Sequence, residues 1–202
     1  MKEKFFTAKN TALLGILVAL VVVLQIFASS IPMFGVTLNF GLIPIALGAI
    51  LLGAYGGAIV GFTNGLVAFI VTAVMGGEVS TAYLFQTNPV ILTVMCIGKT
   101  TIAGFISGLV FSLLSKNASE KKLSVLSIVC SFIIPVVNTG IYMLGMILMK
   151  GSVAEFLNLA SSSANFVFVS VFMIIWLNFV LEIVITIIFS PVIGKVIKIV
   201  RK

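Results

Sequence analysis

Apolar positions along this chain neither alternate nor recur on one helical face. They run together in blocks of about twenty residues, with polar residues collected in the gaps between them. The blocks fall at roughly 11–31, 38–54, 56–75, 88–115, 123–149 and 166–196. A helix of about 20 apolar residues covers the ~30 Å hydrocarbon core of a bilayer at ~1.5 Å per residue. The pattern therefore predicts an all-α integral membrane protein, a compact bundle of six transmembrane helices. It forms one domain over residues 1–202, with no soluble domain. Only "GAYGG" (53–57) separates the second block from the third, which predicts a tight turn there. The first block follows Lys2, Lys4 and Lys9 and so resembles a secretion signal. Its apolar run is too long for a signal core and further spans follow, so it reads as retained.

Composition strengthens this picture. The 202 residues are 61% hydrophobic and 8% charged, against about 25% charged in soluble domains. The net charge of +7 reports topology rather than nucleic-acid binding. Lys2, Lys4, Lys9, Lys116, Lys121, Lys122, Lys195, Lys198, Arg201 and Lys202 all lie on one side if both termini are cytoplasmic. Lys150 alone then falls outside, which fits the positive-inside rule and an N-in/C-in orientation. The outer connections at 29–37, 76–87 and 151–165 are then the long ones, as a ligand lid requires. Surface loops of no special role have the same look. The chain has no histidine, and its five acidic residues are all glutamate. Metal sites on His or Asp, His-based triads and aspartyl dyads are thereby removed. No cofactor is implied. Cys96 and Cys130 sit inside apolar blocks and read as small buried residues rather than a disulfide.

The candidate chemistry begins at "VMCIGKTTIAG" (94–104). Its GKTT resembles the end of a phosphate-binding loop, but that loop needs a first glycine five residues before Gly98, where Thr93 stands. A strand must also precede it, and Thr93 lies within a spanning block. Lys99 is thus a charge about 15 Å inside a membrane helix, at a cost of at least about 2.5–3.5 kcal/mol. The other intramembrane charge is Glu182 in "WLNFVLEIV". Asn178 lies one turn away on the same face, Asn138 follows Pro135 in the fifth block, and Asn64 lies in the third. Two accounts stand open. Lys99 and Glu182 form a buried ion pair fixing helix register, with asparagines as interhelical partners. Alternatively, these groups line an outward-open polar cavity that grips a small solute.

Small residues at Ala8, Ala12, Gly15 and Ala19 share one face of the first helix. Gly57, Gly61 and Gly65 stripe the third block, and Gly104 and Gly108 lie in the fourth. Such faces let another helix approach closely. The last two read as packing within the bundle, and the first as a surface for a partner protein.

Together with "LNFGLIPIALGAILLGAYGGAIVGFTNGLVAF" (38–69), "NTGIYMLGMIL" (138–148) and "NFVLEIVITIIFSPVIGKVIK" (178–198), these features resemble the substrate-binding S components of energy-coupling factor (ECF) vitamin transporters. The resemblance covers essentially the whole chain, and the last two strings look most like pantothenate-type members. Where those proteins often carry a proline, this chain has Ala54. The family's helix-one A-x-x-x-A contact falls on Gly15 and Ala19, with Ala12 beside them. The resemblance implies binding of a water-soluble vitamin near the outer side, with Lys99, Asn138, Asn178 and Glu182 in the pocket region. Pantothenate is the favoured ligand, since a buried lysine suits a carboxylate. It also implies no catalysis by this chain, partnership with a transmembrane coupling subunit and two ATPase subunits, and delivery by toppling in the plasma membrane. The competing readings are a self-contained ion-coupled transporter, an intramembrane enzyme using Glu182 and Lys99, or a scaffold. No internal repeat of the kind common in secondary transporters is evident between the two halves. Trp176, the only tryptophan, is expected to report on the cavity through its emission.

Overall fold

The computed structural model describes residues 6–29, 32–33, 36–116 and 118–200, and the side chains of 6–27, 38–116 and 118–190. Lys2, Lys4, Arg201 and Lys202, and the side chains of Lys195 and Lys198, lie outside these limits, as does part of the 29–37 connection. The chain forms α1 (Ala8–Ser29), a two-residue antiparallel pairing of Pro32–Met33 with Val36–Thr37, and α2 (Leu42–Phe69), which runs on into a π-helical turn, Ile70–Val74. Then come α3 (Val79–Thr87), α4 (Pro89–Leu114), α5 (Glu120–Leu148), α6 (Lys150–Phe156) and α7 (Ala164–Val200). The fold is all-helical, and five of its helices are long and apolar enough to cross a membrane.

The sixth expected span is accounted for at Gly53. Its φ of 72° and ψ of −162° break α2 inside what is otherwise one run, a conformation open to glycine and costly for other residues. A Cβ added at Gly48 would lie 2.9 Å from Val60, and one at Gly57 2.9 Å from the Cβ of Ala49. Residues 48 and 60 would be about 18 Å apart along a straight helix, so the chain folds back on itself at Gly53. The turn expected at 53–57 is thus made by its first residue. The arm before it, 42–52, is only about 16 Å long, short of a bilayer core. For this reason the count of span-length helices is five rather than six.

The arm after Gly53 packs on α4 through backbone rather than side chains. Added Cβ atoms at Gly57 and Gly61 would overlap the carbonyl oxygens of Gly104 and Thr100, and one at Gly108 would lie 2.6 Å from the Gly53 carbonyl. The glycine stripes read from the sequence are therefore the two sides of a single seam. Thr100 Oγ1 crosses it to donate to Gly61 O at 2.7 Å, wholly buried. Thr100→Val removes this bond at nearly constant volume. It should destabilise the protein by about 0.5–1.5 kcal/mol, read as a lower midpoint of thermal unfolding in detergent.

Two apolar cores are stacked along the bundle. One joins Leu17, Val21, Ile45, Val60, Ala103, Phe111, Cys130 and Ile134. The other joins Leu92, Met95, Cys96, Met143, Met146, Val167, Val171 and Ile175 with α3 and α6. On α4 the first core uses residues after Lys99 and the second residues before it. On α5 the two cores fall on either side of Asn138. Between them lies a polar layer. Large apolar side chains cover the outside, among them Ile16, Val23, Leu113, Leu148 and Met173, each more than half exposed, as a lipid-facing surface requires.

Candidate functional site

The polar layer encloses a cavity with about 70 Å³ open to water centres. Lys99 of α4, Asn138 of α5 and Asn178 and Glu182 of α7 all line it. The helical period explains the convergence. Asn178 and Glu182 are four residues apart on one face of α7, as are Asn138 and Tyr142 on α5. By helical rise, Lys99 stands about 15 Å from the start of α4 and Asn138 about 15 Å from the end of α5. The four residues expected from the sequence therefore meet at one depth, although α5 packs between α4 and α7.

That intervening helix also shapes the chemistry. Among the described residues no direct ion pair joins Lys99 to Glu182. Lys99 Nζ instead sits 4.9 Å from the centroid of the Tyr142 ring, within the range of a cation–π contact. Its charge reaches the Glu182 carboxyl across the cavity rather than by contact. Of the two accounts left open by the sequence, the geometry matches a shared cavity and not a register-fixing pair. Glu182 is buried, 6% exposed, and is held in place by its neighbours. Its Oε1 accepts from the backbone N–H of Asn39 at 3.3 Å, and the Asn138 side chain stands beside the carboxyl.

Several lining groups were not legible in the sequence. Gln25 enters from α1, Asn39 from the stretch before α2, Thr72 from the π-helical turn, Glu78 from the N-terminal edge of α3 and Tyr142 from α5. Glu78 lies in the 76–87 connection, and its Oε1 accepts from Ser80 Oγ at 2.7 Å. A second carboxyl-bearing residue thus lines the cavity with Lys99. Only Tyr142 carried a usable signal, its four-residue spacing from Asn138. Asn64 is fully buried but packs against Gly41 and not in the cavity lining. Trp176 is half exposed and lines neither this cavity nor the chamber next to it. Its neighbours Ile175 and Asn178 take the inward face, so its emission is a poor reporter of cavity occupancy.

The adjoining chamber offers about 550 Å³ and is bounded mostly by apolar side chains, including Met146, Val153, Phe156, Val171 and Ile174. It shares Glu78, Tyr142 and Ile175 with the polar cavity, so the two compartments adjoin at these residues. Its size is that of a small-molecule site. The short helices α3 and α6 wall it. Tyr83 and Phe156 stack with centroids 5.3 Å apart, and Asn88 Nδ2 donates to Ser152 Oγ at 2.7 Å.

On α1, Ala8, Ala12, Gly15 and Ala19 are all exposed, while Leu17, Val21 and Gln25 turn inward. A Cβ at Gly15 would meet nothing within 4 Å. The small-residue face is unoccupied by the described residues of this chain. No family model matches the sequence, and no curated protein matches it either.

Proposed function

We propose that this chain is the substrate-capturing S component of an energy-coupling-factor importer for a water-soluble vitamin, with pantothenate as the working ligand. The observation that carries the reading is the convergence of Lys99, Asn138, Asn178 and Glu182 on one cavity between two apolar cores. Buried ionisable groups in a spanning bundle are costly and usually mark a solute pathway. The chamber beside them supplies the room that the polar cavity lacks. In this reading the short arm of α2 before Gly53 makes a pass together with the stretch leading into it, giving six, and both termini lie in the cytoplasm of a plasma-membrane protein. Ligand enters from outside, between α3 and α6. The exposed face of Ala12, Gly15 and Ala19 docks on a transmembrane coupling subunit, and two ATPase subunits supply the hydrolysis. Toppling of the loaded chain then releases ligand inward.

The test is equilibrium binding by calorimetry with pantothenate, folate, pyridoxine and thiamine, using the purified chain alone. Saturable binding of one vitamin, weakened at least about tenfold by Asn178→Leu, supports the reading. Absence of binding across the panel together with ion-driven solute uptake by the chain alone in liposomes would replace it. Gly15→Leu separates the two roles. It should leave ligand affinity within about twofold, since no described residue lies within 4 Å of a Cβ there, while cutting uptake by the complete transporter several-fold as close helix approach is blocked.

A further inference from the structure

The polar cavity holds side-chain oxygens that no described residue satisfies, and this bears on what can fill it. Three side-chain oxygens along it, Asn39 Oδ1, Asn138 Oδ1 and Asn178 Oδ1, are buried and have no hydrogen-bond partner. Asn138 is itself only 5% exposed. The Asn138 side chain stands beside the Glu182 carboxyl, yet its Oδ1 has no partner. Asn39 shows the same division, with its backbone N–H committed to Glu182 and its side-chain oxygen unused. The carboxyls of Glu78 and Glu182 add further acceptors, while the one ammonium is Lys99. A buried acceptor without a partner costs about 1–3 kcal/mol, so three of them ask for O–H or N–H groups from whatever enters.

From this we infer that the site selects its ligand by several neutral hydrogen-bond donors read by Asn39, Asn138 and Asn178, and not by the ligand's negative charge. The inference rests on the cavity being the ligand site, as proposed above. Lys99 shares the cavity with the carboxyls of Glu78 and Glu182 and sits over the Tyr142 ring, so a ligand carboxylate gains little there. Hydroxyl or amide N–H groups, by contrast, meet oxygens that nothing else satisfies. The ligand class is a polyhydroxylated or amide-bearing polar head, with an apolar portion able to extend into the chamber past Tyr142 and Ile175. Asn39 becomes a specificity-determining residue, although it lies outside the spanning helices.

Three probes separate donors from charge. Pantothenate carries two hydroxyls, an amide N–H and a carboxylate. Its alcohol, pantothenol, keeps those donors and lacks the charge, and N-pivaloyl-β-alanine keeps the carboxylate and amide without the hydroxyls. They are offered as an equimolar mixture to the full chain in lipid nanodiscs, and the bound fraction is read by mass spectrometry. The expected result is retention of the first two within about tenfold of each other. The third should be at least about 100-fold weaker, because sites built around hydrogen bonds reject analogues lacking them. Asn39→Ala removes the side-chain oxygen, keeps the backbone bond to Glu182, and should weaken both hydroxylated probes at least about fivefold. Asn39→Asp restores an acceptor and much of the affinity. Loss of pantothenol with retention of N-pivaloyl-β-alanine overturns the inference and leaves the cavity as a charge-reading ligand site. If none of the three is retained, the protein is exposed to a filtrate of yeast extract. A retained, identified compound with three or more O–H or N–H donors supports the inference. One with fewer overturns it alone, and absence of any retained compound overturns the capture function with it.

Discussion

Gly61→Val should leave little or no folded protein, whereas Gly98→Ala, on the same helix pair, should be harmless. A side chain at Gly61 would overlap the Thr100 carbonyl group and place its Cβ 3.1 Å from the Cα of Thr101. These are backbone atoms of α4, so no rotamer change relieves the clash and the helices must separate. Separation breaks the Thr100–Gly61 bond and opens the seam at Gly57, Gly65, Gly104 and Gly108 together. Overpacking of a close-packed interior usually costs about 1–3 kcal/mol, and a seam that yields only as a whole belongs at or above that upper figure. Gly98 has nothing within 4 Å of its added Cβ, and alanine is favoured over glycine in a helix by about 1 kcal/mol. Thermal unfolding of the two variants in one detergent checks the pair. Equal midpoints would show that the seam is not what holds α2 to α4.

The second large effect is expected at Glu182, where shape and charge come apart. Glu182→Leu removes the acceptor of the Asn39 backbone N–H and the carboxyl beside the Asn138 side chain, and leaves Lys99 with less opposing charge. Each orphaned buried donor costs about 1–3 kcal/mol, so ligand affinity should fall at least about 100-fold, with a lower unfolding midpoint. Glu182→Gln keeps an oxygen facing Asn39 and should lose no more than about tenfold in affinity. Calorimetric titration of the two proteins against the wild type decides the matter. Equal, severe losses would assign the role of Glu182 to its charge and not to the bonds it accepts.

The four site residues predicted from the sequence meet because rarity and depth were sufficient guides. Lys99 and Glu182 stand out as charges inside apolar blocks, and Asn138 and Asn178 as amides on helix faces at similar depth. The glycine seam was readable for the same reason, since residues four apart share a face. Asn39 and Glu78 were hidden because each belongs to a connection, where polar residues are ordinary and no period says which way they point. The break in α2 was half visible. "GAYGG" announced a turn, but the early reversal at Gly53, which shortens the first arm, depends on the fit of Gly48 against Val60. The ion pair between Lys99 and Glu182 was a reasonable expectation that the placement of α5 overrode. The outward turn of Trp176 was foreseeable in principle, since at ~100° per residue position 176 stands about 140° around the helix from the 178/182 face.

The polar layer is completed by the last long helix, and this sets an order on its assembly during translation. Glu182 is 83 residues downstream of Lys99 (182 − 99), so at about 5–20 residues per second the ribosome delivers it roughly 4–17 s later. For the first part of that interval Asn138 and Tyr142 have not been made either, and until Glu182 arrives Lys99 lacks the carboxyl across the cavity. The polar layer thus closes only when α7 packs against α5.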